Sequence, residues 1–192
     1  LEAYRRIRSA NTRLVVVGPM VGSGRAFEAW RPYVEYLGRV DPARVFAEMA
    51  RSHVLVLPSL FEGFGLVMVE AMAAGLPVIG STHSAAPDII EDGVSGYVLK
   101  PDDVEGLCDR LTGLASRRER VCEMGRNAAE RARAFCWDAH EERLAELCEE
   151  LAWWRPSATD SASRAAGYGP RPCGTREADG MYAACEAVAA HA

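Results

Sequence analysis

The run Leu66-Val67-Met68-Val69-Glu70-Ala71-Met72-Ala73-Ala74 constrains this chain more than any other segment. It predicts a helix from Gly65 to Ala74, stopped by Gly75 and Pro77. That helix is apolar on nearly every face, and a helix without a polar face must be enclosed by other elements. The segments beside it read as strands, His53 to Leu57 before it and Pro77 to Gly80 after it. Both are nearly continuous apolar runs, the pattern of parallel strands covered on two faces. Strand, buried helix and strand in succession give an α/β layer structure.

The alternation extends in both directions. Arg13 to Val17, Val34 to Leu37 and Gly96 to Leu99 also read as strands, and the chain already starts in a helical pattern at Leu1. Asp41-Pro42 supplies an N-cap and a first-turn proline for a helix through Ala50, and a short helix fits Ala86 to Glu91. From Val104 onward strands cease. Two longer amphipathic helices follow, about Arg117 to Phe135 and Asp138 to Leu151. The second gathers Leu144, Leu147 and Leu151 on one face, so it is expected to pack. After Trp154 the chain turns rich in Pro, Gly, Ser and Ala without a sustained period. The expected organisation is one domain over residues 1–154 and a low-complexity, mostly disordered tail over 155–192, with a weak helix from Met181.

Length and charge remove several classes. With 192 residues there is room for one sizeable domain and a tail. A net charge of -5 argues against binding to nucleic acid through phosphate neutralisation. No apolar run approaches the roughly 18 residues that span a bilayer, and no signal peptide opens the chain, so a cytoplasmic location is expected. Cys108, Cys122, Cys136, Cys148, Cys173 and Cys185 form no C-x-x-C pair and face no matched His pair, which argues against a zinc site. A start at Leu1, already in helix, reads as a piece of something longer.

Chemistry concentrates where the strand ending at Leu57 meets the apolar helix. The amides of Gly63, Phe64, Gly65, Leu66 and Val67 are expected to stand free at the helix N-terminus, where the macrodipole adds about half a positive charge. Such an end binds anions, and glycines let a phosphate approach the backbone. Glu70 sits in the otherwise apolar helix, where a carboxylate needs partners, and the hydroxyls of a ligand would serve. Glu62 precedes the helix at the carboxyl edge of a strand, where open α/β sheets place ligands. The plain alternative makes Glu62 a solvated loop residue and pairs Glu70 with a neighbouring Arg.

In its whole context this stretch resembles the C-terminal, donor-binding half of a GT-B glycosyltransferase of the large retaining family called group 1 or family 4. The resemblance runs from about Leu1 to Leu151 through islands in order: Arg13 to Gly18, Tyr36 to Val40, Glu62 to Ile79, Ile89 to Gly96, and Phe135-Cys136-Trp137. It implies a Rossmann-like parallel sheet flanked by helices. It further implies that Glu62, as the catalytic residue, hydrogen-bonds the donor sugar. The amides of Gly63 to Val67 would hold sugar and diphosphate, Glu70 the ribose, and the backbone of Leu37, Gly38, Arg39 and Val40 the nucleobase. The partner is then a nucleotide-diphosphate sugar, with no metal and no other cofactor. The acceptor-binding N-terminal domain is missing, as is the upstream Arg and Lys clamp on the diphosphate, so this chain alone is expected to be inactive. Peripheral contact with the inner face of a membrane would run through that missing domain. Ser84-Ala85-Ala86-Pro87-Asp88 stands where the family tends to show Gly-Gly-x-Pro-Glu. Two other readings share these features: a non-catalytic nucleotide-sugar-binding module, and a GT-B epimerase or phosphorylase.

Weaker signals read plainly. Gly18 to Arg25 follows a strand but fits neither dinucleotide nor P-loop template, so a connecting loop is expected. His83, just past a strand end, is read first as a surface residue, with a position facing the cleft as the alternative. Arg117 to Arg120 look like a solvated helix face.

Overall fold

The computed structural model describes residues 1–20 and 24–151. The tail expected from Arg155, the helix from Met181 and the boundary at 154 lie outside the described residues. In chain order the elements are α1 (Glu2–Ile7), β1 (Val15–Val17), α2 (Arg25–Glu28), β2 (Glu35–Gly38), α3 (Pro42–Ala50), β3 (Leu55–Leu57) and α4 (Leu66–Ala73). Then come β4 (Val78–Ser81), α5 (Ala86–Ile89), β5 (Gly96–Leu99), α6 (Val104–Ser116), α7 (Arg118–Ala132) and α8 (Trp137–Leu151). Every strand pair is parallel, as continuous apolar strands joined by helices require. The strands form two ladders, β1-β2 and β3-β4-β5.

β4 is the central strand of the larger ladder and is buried along its whole length. Its alternating side chains divide the core. Val78 packs with Met68, Ala71 and Met72 of α4 and with Ala86 and Ile89. Ile79 packs on the other face with Leu114 and Met124, against Leu107, Leu111 and Val121. The register sets Leu57 beside Gly80 and Ser81 beside Leu99, so the loops leaving β3 and β4 start side by side at the carboxyl edge.

Charge ties the first ladder to α3. Arg13 lies 3.3 Å from Glu35 and 3.7 Å from Glu48, and Glu48 is 4% exposed. Arg44 at 2.7 Å and Arg51 at 3.4 Å share the other oxygen of the Glu48 carboxylate. A buried carboxylate persists only with such partners. The Asp41 cap of α3 is present as expected, accepting the Arg44 amide at 2.9 Å. α1 lies on α6, joined by Arg6 to Glu105 at 2.5 Å.

Several expectations need correction. α6 fills a stretch for which the sequence pattern predicts no element, and its cap is Asp103, which accepts the Gly106 amide at 2.8 Å. α2 begins only at Arg25, the last residue of the segment read as a connecting loop, so that reading needs no correction. Arg120 is not merely solvated: its guanidinium donates to the Gly93 carbonyl and pairs with Glu123. Asn127 donates to the Val94 carbonyl and Arg131 to those of Ile89 and Asp88, so one face of α7 holds the end of α5 and the turn that follows it. α8 does not pack as expected: Leu144 is 51% exposed and Leu147 38%, because no described element reaches across that face.

α7 crosses the turn after α4 at close range. A Cβ at Gly125 would overlap the Gly75 carbonyl oxygen. Gly125→Ala gains about 1 kcal/mol of helix propensity but meets backbone that cannot rotate away, which puts the overpacking cost in the upper range, about 2 to 3 kcal/mol. Thermal unfolding should register a net loss of about 2 to 8 °C. A melting temperature at or above wild type would contradict this packing.

Candidate functional site

The loop from Pro58 to Gly65 joins the end of β3 to α4, and glycine chemistry sets how the helix starts. Gly65 is the N-cap residue with φ 76° and ψ 59°, a left-handed conformation that costs other residues about 1 to 2 kcal/mol. A Cβ there would also meet the Met68 methyl at 2.9 Å and Glu62 Cγ at 3.2 Å. No side chain caps the helix. Met68 is the first residue whose amide finds an acceptor, the Gly65 carbonyl at 2.9 Å. Among the described residues the amides of Gly63, Phe64, Gly65, Leu66 and Val67 have none. Free donors at an uncapped helix start are the group of atoms that an anion would satisfy.

Two glutamates lie on either side of these residues in the sequence, Glu62 before them and Glu70 after. Glu62 is half-buried, and its side chain has one hydrogen-bond partner among the described residues, the Ser59 hydroxyl, 3.5 Å from Oε2. Glu70 is also half-buried, one turn into α4, and its carboxylate has no hydrogen-bond or ion-pair partner among the described residues. The Arg partner of the plain alternative is therefore not found there. Phe64 and Leu66 expose their side chains, by 46% and 67%.

The loop is held from one side. Ser81, 1% exposed, donates its hydroxyl to the Ser59 carbonyl at 2.5 Å. The Glu62 amide donates to the His83 carbonyl at 3.2 Å, and His83 Nδ1 lies 3.1 Å from the Leu60 carbonyl. Sequence reasoning missed Ser59 and Ser81. A serine hydroxyl reaching 22 residues along the chain leaves no local pattern.

The residues expected at the nucleobase sit on the other ladder. β2 ends at Gly38, where φ of 67° turns the chain, and the Gly38 carbonyl accepts the Gly18 amide at 2.9 Å. Tyr36 donates to the Gly18 carbonyl at 3.0 Å. Leu37 and Val40 are half-buried and Arg39 is exposed. Among the described residues no group of three or more His, Cys, Asp or Glu could hold a metal ion.

The family model for glycosyl transferases group 1 matches residues 1–117. The chain belongs to that family. Over 107 residues it is 40% identical to a sucrose synthase of Acidithiobacillus caldus, covering 53% of this chain and 14% of that one. The sucrose-phosphate synthase of Thermosynechococcus elongatus superposes with a TM-score of 0.68 at 26% identity, over 79% of this chain and 41% of the other. Anabaena HepE, solved with UDP and glucose, gives 0.68 at 22% identity over 78% of this chain and 43% of its own. The α/β half of a GT-B fold expected from the motifs is the architecture found. The chain spans between 14% and 37% of the length of the curated relatives it matches. No helix among the described residues is long and apolar enough to cross a membrane.

The two glycines of the loop separate folding from the site. Nothing lies within 4 Å of a Cβ built on Gly63. Gly63→Ala should therefore melt within about 1 °C of wild type, whereas Gly65→Ala should lose about 3 to 8 °C through its left-handed cap. Equal melting temperatures for the two variants would contradict the cap geometry.

Proposed function

We propose that this chain is the donor-binding half of a retaining glycosyltransferase that takes its sugar from a nucleotide-diphosphate sugar. One observation carries the reading: the start of α4 is uncapped and the amides of Gly63 to Val67 have no acceptor among the described residues, with Glu62 just before them in the chain and Glu70 just after. Free N–H groups suit a diphosphate, and carboxylates suit the hydroxyls of sugar and ribose. The similarity to a sucrose-phosphate synthase, and to a protein solved with UDP and glucose, supports the same donor class.

In this reading the amides and the helix dipole stabilise negative charge as the diphosphate departs, the main electrostatic need of the reaction. Glu62 holds sugar hydroxyls and orients the reacting carbon. Glu70 holds the ribose, and the backbone of Leu37 to Val40 meets the base. An acceptor-binding domain and an upstream Arg and Lys clamp complete the enzyme. Residues 1–154 form the donor half, and the tail over 155–192 is dispensable to it.

The chain as given should bind UDP, GDP or ADP at millimolar affinity or weaker with EDTA present, and should transfer no sugar. Two missing charge-assisted contacts account for about 3 to 6 kcal/mol of lost binding. NMR titration and a transfer assay check both points, and micromolar binding or transfer would contradict them. In the protein that carries both halves, Glu70→Gln should weaken nucleotide binding by about 10- to 150-fold. Glu62→Gln should lower turnover more than nucleotide affinity, and inversion of the anomer in the product would overturn the retaining chemistry. Equal loss of nucleotide binding by both variants would contradict the division of roles.

A further inference from the structure

We propose that His83 is a positioning residue for this site, locking the Ser59-to-Glu62 loop through its Nδ1–H tautomer. The Leu60 carbonyl 3.1 Å from Nδ1 can only accept, so the ring nitrogen facing it must carry the proton. Neutral His83 then keeps Nε2 unprotonated. The main chain of the same residue adds two more bonds: its carbonyl accepts from the Glu62 amide at 3.2 Å, and its amide donates to Ser81 Oγ at 3.2 Å. The single proton of Ser81 Oγ goes to the Ser59 carbonyl, so that oxygen is left to accept from His83, and the directions of all four bonds agree.

Packing does not hold this loop. Leu60 is 63% exposed and Phe61 89%, so its tip has little apolar contact to resist displacement. Its conformation rests on hydrogen bonds to Ser81 and His83 at Ser59, Leu60 and Glu62. The ring bond is the one of these that depends on the side chain at position 83, since the main-chain bonds survive substitution. It anchors the carbonyl two residues before Glu62. The assignment of a role in catalysis rests on the function proposed above, whereas the lock on the loop does not.

Histidine-ring nitrogen NMR on the chain reads the lock without any activity, at a pH where the ring is neutral. The Nδ1–H tautomer is expected, and an Nε2–H tautomer would overturn the proposal. Asn places an amide N–H where Nδ1 stands, and Ala removes the donor. In His83→Ala the amide resonances of Leu60 to Gly63 should move, and in His83→Asn they should return towards wild type. In the protein that carries both halves, His83→Ala should lower turnover about two- to tenfold, the worth of one neutral hydrogen bond. Nucleotide affinity should change less, and His83→Asn should recover most of the turnover. Wild-type turnover in His83→Ala, or equal impairment in His83→Asn, would overturn the positioning role. If neither nucleotide binding nor transfer is found while the tautomer and the resonances behave as expected, the function fails and the lock stands.

Discussion

A helix with almost no polar face can pack on several sides, and the main core of the described structure is built on one face of α4. Met68, Ala71 and Met72 are fully buried, which requires β4 behind the helix, α7 across its end and α5 beside it. At about 25 cal/mol per Å² of apolar surface, burying two methionine side chains stabilises the fold by several kcal/mol. The enclosure expected of an apolar helix is only partial: Val67, Val69, Glu70 and Ala73 are half-buried and Leu66 is exposed. The first turn of α4 remains open, and the glycine at its cap leaves no side chain to satisfy the amides there.

The open start of the helix carries the chemistry proposed. Gly63, Phe64 and Leu66 are exposed and Glu62 and Glu70 only half-buried, so the free amides and both carboxylates are open to solvent, and the proposed ligand would replace water at them. The neighbouring loop is built to keep that arrangement in place. Ser81 belongs to the rigid central strand, and through its hydroxyl and through His83 the strand fixes the position of Glu62. The amides are placed by the packing of the helix, and the carboxylate before them by a few hydrogen bonds, which makes the loop the more sensitive part of the site.

Much of this was legible in the sequence because it depends on local pattern. β5 runs from Gly96 to Leu99 as its apolar residues predict, and α3 begins where Asp41 and Pro42 place it. The site loop and the start of α4 are set by Glu62 to Val67. α6 escaped because Gly106 and Gly113 interrupt its pattern, yet Val104, Leu107, Leu111 and Leu114 kept helical spacing and Asp103 offered a cap. Gly106 is in fact fitted to that cap, since a Cβ there would overlap the Asp103 carboxylate. The division into two ladders, the contacts of Arg120 and the role of Ser81 were not legible, because each depends on residues distant in the chain. α8 misled for the opposite reason: its apolar stripe is real, but no described element covers it.

The proposed function puts the nucleotide sugar's diphosphate at the open start of α4. The direct measurement is amide chemical-shift mapping of the protein that carries both halves as UDP is added. Saturable shifts are expected at Gly63 to Val67, accompanied by shifts at Leu37 to Val40 with the same dissociation constant. UDP that saturates the protein while the Gly63 to Val67 amides stay fixed would contradict the claim.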